Sequence, residues 1–68
     1  GSNLREKAMY YRFDSAYKLA INSVVWRQKE RIENAVSYYN SFKNIYKESE
    51  FLDEMESKIL KLNNINNI

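Results

Sequence analysis

The sequence has no cysteine, no histidine and no proline, and its only glycine is Gly1. Without cysteine no disulfide can form, and without cysteine or histidine the usual structural zinc sites are excluded. The same absences remove the commonest general base, the thiol nucleophile and every catalytic triad that uses histidine. An interior without glycine also excludes a glycine-rich phosphate loop. We therefore expect no catalytic residue and no cofactor, and predict that the protein is not an enzyme.

Carboxylates are the remaining candidates for metal ligands. Four acidic residues lie close together in the sequence: Glu50, Asp53, Glu54 and Glu56. Adjacent carboxylates on one helix lack the loop geometry that gives calcium and magnesium sites their affinity. Acidic side chains at this position are typical of the first turn of a helix, where they favour the helix dipole. The sequence therefore predicts no metal site.

The 68 residues allow one domain, and domains below about 70 to 80 residues rarely gain more than about 3 to 5 kcal/mol from one core. Residues 1–2 resemble the scar of a cleaved expression tag, so the protein is expected to be a fragment of a longer one. Residues 3–62 are predicted to form a single helical domain, and residues 63–68, an Asn- and Ile-rich tail, are expected to fray. No run approaches the roughly 20 apolar residues of a transmembrane helix, so we expect a soluble domain whose compartment the sequence does not indicate.

Three apolar stripes indicate the helices. The central stripe predicts a helix over about residues 30–47, because its members recur in steps of three and four. A first stripe with the same spacing predicts a helix over about 4–28, with Asn3 as N-cap and Glu6 completing a capping box. A third stripe predicts a helix over about 50–62 with Ser49 as N-cap. The residues expected to form a core or an interface are Tyr10, Phe13, Tyr17, Val24, Ile32, Tyr39, Phe42, Tyr46, Leu52, Met55 and Ile59.

The first two stripes are separated by an irregular step of eight residues, from Val24 to Ile32. One continuous, kinked helix fits this spacing, since a stutter is accommodated by a change of supercoil. A break near residues 27–29 fits equally, although no capping residue lies between Val24 and Glu33; Asn22 with Ser23 would be the better caps for a turn nearby. We predict an all-α protein, a small antiparallel bundle or hairpin of two to three helices, or an oligomeric coiled coil if the first two stripes share one helix.

A helical module that binds by packing its apolar and aromatic stripes against another helix is the function that these patterns favour. The expected partner is a second copy or a helix of another protein, so a homo-oligomer is one expectation. Some aromatic and basic residues lie off the stripes and are expected to contact that partner. They are Tyr11, Trp26, Arg27, Lys29 and Arg31.

Charge is divided unevenly, with a net +5 over residues 1–47 and −3 over residues 48–68. This division favours docking of the acidic third helix beside the basic residues 27–31, or head-to-tail contact between copies. The alternative function is a small basic nucleic-acid-binding module, because phosphates bind Lys and Arg and unstacked bases pack on aromatic rings. Scattered basic residues and a total charge of only +2 make nucleic acid the less favoured partner.

Ala35, Val36, Tyr38, Tyr39 and Phe42 are spaced as in the second helix of microtubule-interacting-and-trafficking domains and of tetratricopeptide repeats, which this segment resembles. The resemblance covers only this part of one helix. The turn residues that both families place before it are missing, so the chain is assigned to neither.

Overall fold

The computed structural model describes residues 2–66, with side chains for residues 4–65, and this part of the chain folds into three helices without strands. They are α1 (Ser2–Ile21), α2 (Val25–Ile45) and α3 (Leu52–Asn66). Each helix contacts the other two, so the predicted small all-α bundle is confirmed. Further, α1 and α2 are separate helices, and the single long helix considered for residues 4–47 does not occur.

The direction of each helix follows from its contacts. Near the α1–α2 turn, the Gln28 side chain donates a hydrogen bond of 3.2 Å to the Ala20 carbonyl, so α2 returns antiparallel along α1. The Phe51 ring, just before α3, stacks on Tyr10 with 4.6 Å between ring centroids. Because Lys58 further along α3 reaches Asp14 further along α1, α3 runs parallel to α1 and antiparallel to α2.

The first break falls at residues 22–24, earlier than the predicted position near residues 27–29. Asn22 donates from both its backbone and its side chain to the Lys18 carbonyl, at 3.1 and 3.0 Å, and the Ser23 hydroxyl donates to the Leu19 carbonyl. These bonds satisfy carbonyls that the end of a helix leaves without partners. Asn22 and Ser23 are thus the caps that the sequence indicated for a turn nearby. Val24 is then extended, and α2 starts at Val25 without a side-chain cap, so no capping residue precedes Ile32 on α2.

The other helix ends agree with the predictions in part. Ser49 was predicted to cap α3, but that helix begins at Leu52. The Ser49 hydroxyl accepts a hydrogen bond of 3.1 Å from the Phe51 N–H in the turn before the helix, and the Phe51 carbonyl accepts the first helical bond, from the Met55 N–H. Asn3 is not an N-cap, since α1 already begins at Ser2. The Glu6 carboxylate instead accepts a hydrogen bond from the Ser49 hydroxyl and so joins α1 to the α2–α3 loop. Helix α3 continues to Asn66, through most of the segment that was expected to fray, while residues 67–68 lie outside the described chain.

The core lies along the shared axis of the three helices. Its largest side chains, Phe13 and Phe42, are 0% and 1% exposed, and Met55 and Leu62 of α3 close over them. Small residues on α1 and α2 allow the two backbones to approach. The buried set is Tyr10, Phe13, Ala16, Ala20, Ile32, Ala35, Phe42, Met55 and Leu62.

Replacing Phe42 with Ala is expected to leave the isolated chain largely unfolded at room temperature. Truncating a fully buried Phe costs about 3 to 5 kcal/mol, which matches the whole stability expected of a domain this small. The control is Ile45→Ala on the same helix, where the side chain is mostly exposed and the loss of stability should be small. Urea unfolding followed by circular dichroism compares the two; equal stability would contradict the placement of Phe42 in the core.

Candidate interaction surface

The predicted stripe residues divide into three groups in the structure. Tyr10, Phe13, Ile32, Phe42 and Met55 are buried in the core. A second group is half-buried and packs against that core: Tyr17, Tyr39, Tyr46, Leu52 and Ile59. Val24 belongs to neither group, because it stands in the α1–α2 turn with 48% of its surface exposed. The stripe that was expected to need a second copy is therefore covered within one chain, apart from Val24.

The residues predicted to contact a partner lie in two places. Tyr11 and Arg31 line a groove between α1 and α2 on the side of the bundle away from α3. Trp26, Arg27 and Lys29 lie at the start of α2, all exposed and outside that groove, and Trp26 is 82% exposed. The structure thus brings Tyr11 and Arg31 together and leaves the other three as a separate patch beside the turn.

Helix α1 is apolar on two faces, which the sequence analysis missed. Opposite the residues that it buries, a second stripe steps by four, three, four and four; we call it the outer stripe, and it consists of Leu4, Ala8, Tyr11, Ser15 and Leu19. Every residue of the outer stripe is exposed. The spacing was available in the sequence, but Ser15 and the small Ala8 weaken its apolar signal beside the aromatic stripe on the other face.

The outer stripe forms one wall of the α1–α2 groove, a hollow of about 450 Å³. Tyr38 and Asn34 of α2 form the other wall, with Arg31 at one end. Arg12 and Tyr38 also line a smaller adjoining hollow with Met9 and Ser41, so the concave surface continues along the two helices. The residues that line the groove are Ala8, Tyr11, Arg12, Ser15, Ala16, Leu19, Arg31, Asn34 and Tyr38.

The charges at this groove have one sign. Arg12 and Arg31 line it, and no salt bridge of the described residues involves either of them. Both acidic residues of α1 are engaged elsewhere, Glu6 with Ser49 and Asp14 with Lys58. The acidic residues of α2 that lie nearest, Glu30 and Glu33, are exposed but do not line the groove. The surface is therefore apolar at its centre and basic at its edges.

The most connected polar cluster lies on the opposite side, between α1 and α3. The Lys58 Nζ donates to Asp14 Oδ1 at 2.7 Å and to the Tyr10 hydroxyl at 3.1 Å. Its ammonium also lies 5.2 and 5.4 Å from the ring centroids of Tyr10 and Tyr17, within the range of cation–π attraction. The side chains of Lys58 and Asp14 are only 17% and 18% exposed, so this pair joins two helices under partial burial.

Each charged group of this cluster stabilises the ionised state of the other. Burial alone would lower the pKa of Lys58, but its hydrogen bonds to Asp14 and Tyr10 outweigh burial and raise that pKa. Burial alone would likewise raise the pKa of Asp14, whereas the hydrogen bonds from Lys58 and Lys18 hold it below its ordinary value. Burial raises the pKa of Tyr10. The cluster therefore joins α1 to α3 through an ion pair and a hydrogen bond.

The docking of acidic and basic segments expected from the charge division is not observed. The acidic start of α3 lies near Glu6 and Tyr10, at one end of α1, whereas Gln28 and the basic residues around it lie near Ala20. Ten residues of α1 separate Tyr10 from Ala20, about 15 Å of helix. Asp14 and Lys58 form the electrostatic contact between α1 and α3 instead.

Within the described part of the chain, no group of three or more acidic side chains is placed to hold a metal ion. None of the described helices combines the length and the apolar character needed to cross a membrane. No family model matches this sequence, and neither a curated protein nor a solved structure is significantly similar to it.

Asp14→Asn is expected to lower stability at neutral pH by about 1 to 2 kcal/mol, because it removes the anionic partner of a partly buried Lys58. In the wild type the folded-state pKa of Asp14 is depressed, so its ionisation stabilises the fold above the ordinary carboxyl pKa of about 4 and is lost as the pH falls below it. The difference between wild type and variant should accordingly shrink as the pH falls below about 4.

Urea unfolding at a series of pH values measures this difference. Glu33→Gln provides the control, because Glu33 is an exposed carboxylate in the interior of α2, outside the cluster. A constant gap between wild type and Asp14→Asn across that pH range would show that the Asp14 charge contributes nothing to stability.

Proposed function

We propose that the protein is a non-enzymatic helical interaction module that binds a helix of a partner protein in the α1–α2 groove. The observation that carries this proposal is the outer stripe of α1. A helix in a three-helix bundle needs one apolar face, and α1 has that face against α2 and α3. Its second apolar face, the outer stripe, is exposed and lies outside the core.

The shape of the surface supports a helix as the ligand. The lining residues of α1 run from Ala8 to Leu19, a span of twelve residues or about 16 Å between the first and the last, so the groove can accommodate about three turns of helix. Helices pack by placing the side-chain ridges of one into the grooves of another. Tyr11 and Tyr38 offer rigid aromatic surface with hydroxyls at the edge, a residue type that is enriched at interface hot spots.

A second copy is the less favoured partner. An oligomer was expected if the first and central stripes stayed uncovered in a single chain. The structure covers both stripes within one chain, apart from Val24, so this reason no longer applies. A symmetric dimer through the groove would place the same patch of both copies face to face. Arg12 and Arg31 of one copy would then approach the same cations of the other, and such like-charge contacts oppose binding.

The chain is accordingly expected to be monomeric at micromolar concentration. Sedimentation equilibrium over a concentration series measures its molar mass, for which one chain is 8.2 kDa. A stable dimer at low micromolar concentration would contradict this expectation.

The groove itself is tested by selecting binders from a displayed library of amphipathic helical peptides. Helices enriched on the wild-type chain should lose binding at least about tenfold to the Leu19→Asp variant, because a charge replaces an apolar wall of the groove. The matched control is Leu60→Asp on α3. Leu60 is 60% exposed against 53% for Leu19, so both variants should stay folded and only one alters the groove.

Two results would overturn the proposal. One is a selection in which no enriched helix distinguishes Leu19→Asp from Leu60→Asp. The other is tight, salt-sensitive binding of a poly-deoxythymidine oligonucleotide that Leu19→Asp leaves unchanged. That second result would favour the alternative nucleic-acid module, since phosphate contacts weaken steeply with salt and helix packing does not.

A further inference from the structure

We infer that the partner helix is acidic along the flanks of its apolar stripe. This inference rests on the proposed function and specifies the chemistry of the ligand for the same groove. It follows from the distribution of charge around the outer stripe.

Four cations flank the outer stripe of α1. Successive residues of a helix turn by about 100°, so Arg5 and Arg12 lie along one side of the stripe, and Lys7 and Lys18 along the other. All four side chains are exposed. Lys18 forms a salt bridge of 3.1 Å with Asp14, and it is the one member of the four that any salt bridge of the described residues includes. The stripe is therefore bordered by basic residues on both sides.

The other wall adds to this charge. Arg31 lines the groove from α2, opposite α1 and its Arg12. Helices that pack side by side select their partners through charges that flank the apolar seam, and opposite charges there favour association. An acidic flank on both sides of the bound helix would meet Arg12 on one wall and Arg31 on the other. A basic helix would face like charges on both.

Helix α3 of a second copy is acidic, but it does not expose the apolar stripe that the groove requires. On the outward face of α3, Asp53 and Glu56 are exposed, but Leu60 is the large apolar residue that accompanies them. Of the other large apolar residues of that helix, Leu52, Met55, Ile59 and Leu62 pack in or against the core, and Ile65 near its end is half-buried. One leucine cannot fill a groove of about 450 Å³, so the fitting occupant is a helix of another protein.

The concave shape of the groove favours an acidic helix over an anionic membrane surface as the ligand. A basic, apolar helix face can also lie on a lipid surface, where it buries its apolar residues below the headgroups. Tyr11, Leu19 and Tyr38 instead line the concave space between two helices. A rod-shaped ligand can enter that space, whereas a flat surface would contact only its rims.

The test uses three synthetic helical peptides with the same leucine stripe and with flanks of Glu, Gln or Lys. The Glu peptide is expected to bind the wild-type chain about threefold to tenfold more tightly than the Gln peptide, the range for a few partly exposed ion pairs, and the Lys peptide more weakly still. The advantage of Glu over Gln should disappear in the double variant Arg12→Gln, Arg31→Gln and decline at high salt. Lys61→Gln, an exposed cation on α3, is the control and should retain it.

Each outcome has a distinct meaning. Equal binding of the Glu and Gln peptides, sensitive to Leu19→Asp, would overturn the inferred charge preference and leave the groove as a helix-binding site. Failure of all three peptides to bind, with groove-dependent binding of the chain to phosphatidylglycerol vesicles, would overturn both the preference and the proposed protein partner. A Glu preference that persists in the double variant would show that Arg12 and Arg31 do not produce it.

Discussion

The bundle depends on the turn at residues 22–24, where two polar side chains end a helix that neither proline nor glycine interrupts. Asn22 and Ser23 donate to the carbonyls of Lys18 and Leu19, and Gln28 donates to the Ala20 carbonyl from the next helix. Because three successive carbonyls at the end of α1 gain side-chain donors, the chain can leave the helix at little cost. Only after this reversal can Phe13 and Phe42 be buried in one core.

The sequence was sufficient to predict a small all-helical bundle and most of its core, since steps of three and four along each stripe follow directly from helix geometry. It left open whether the first two stripes share one helix. It was not sufficient to place the first turn. Asn22 and Ser23 were identified as caps for a turn nearby, but the gap in the apolar pattern favoured a break at residues 27–29, whereas α1 ends at Ile21, before its stripe reaches Val24. Val24 was therefore assigned to the core, although it stands exposed in the turn. A local hydrogen-bonding preference outweighed the continuation of an apolar pattern.

The groove was harder to predict for a different reason. Tyr11 and Arg31 were identified as exposed contacts, yet their proximity depends on the antiparallel pairing of α1 with α2, which no local pattern encodes. The Lys58 cluster has the same origin, because Asp14 and Lys58 are 44 residues apart. Contacts between distant residues become visible only when the order and direction of the helices are known. The outer stripe, by contrast, was present in the spacing and was obscured by a stronger aromatic pattern.

The fold and the proposed site are connected through the way that α1 distributes its charges. Its two acidic side chains bind α3 and the loop before it, where they help to hold the bundle together. The exposed face is consequently left with cations, although the chain as a whole has a net charge of only +2. Folding thus converts a nearly neutral sequence into a bundle with one basic, apolar face. The selectivity proposed for the groove arises from this separation and not from the overall composition.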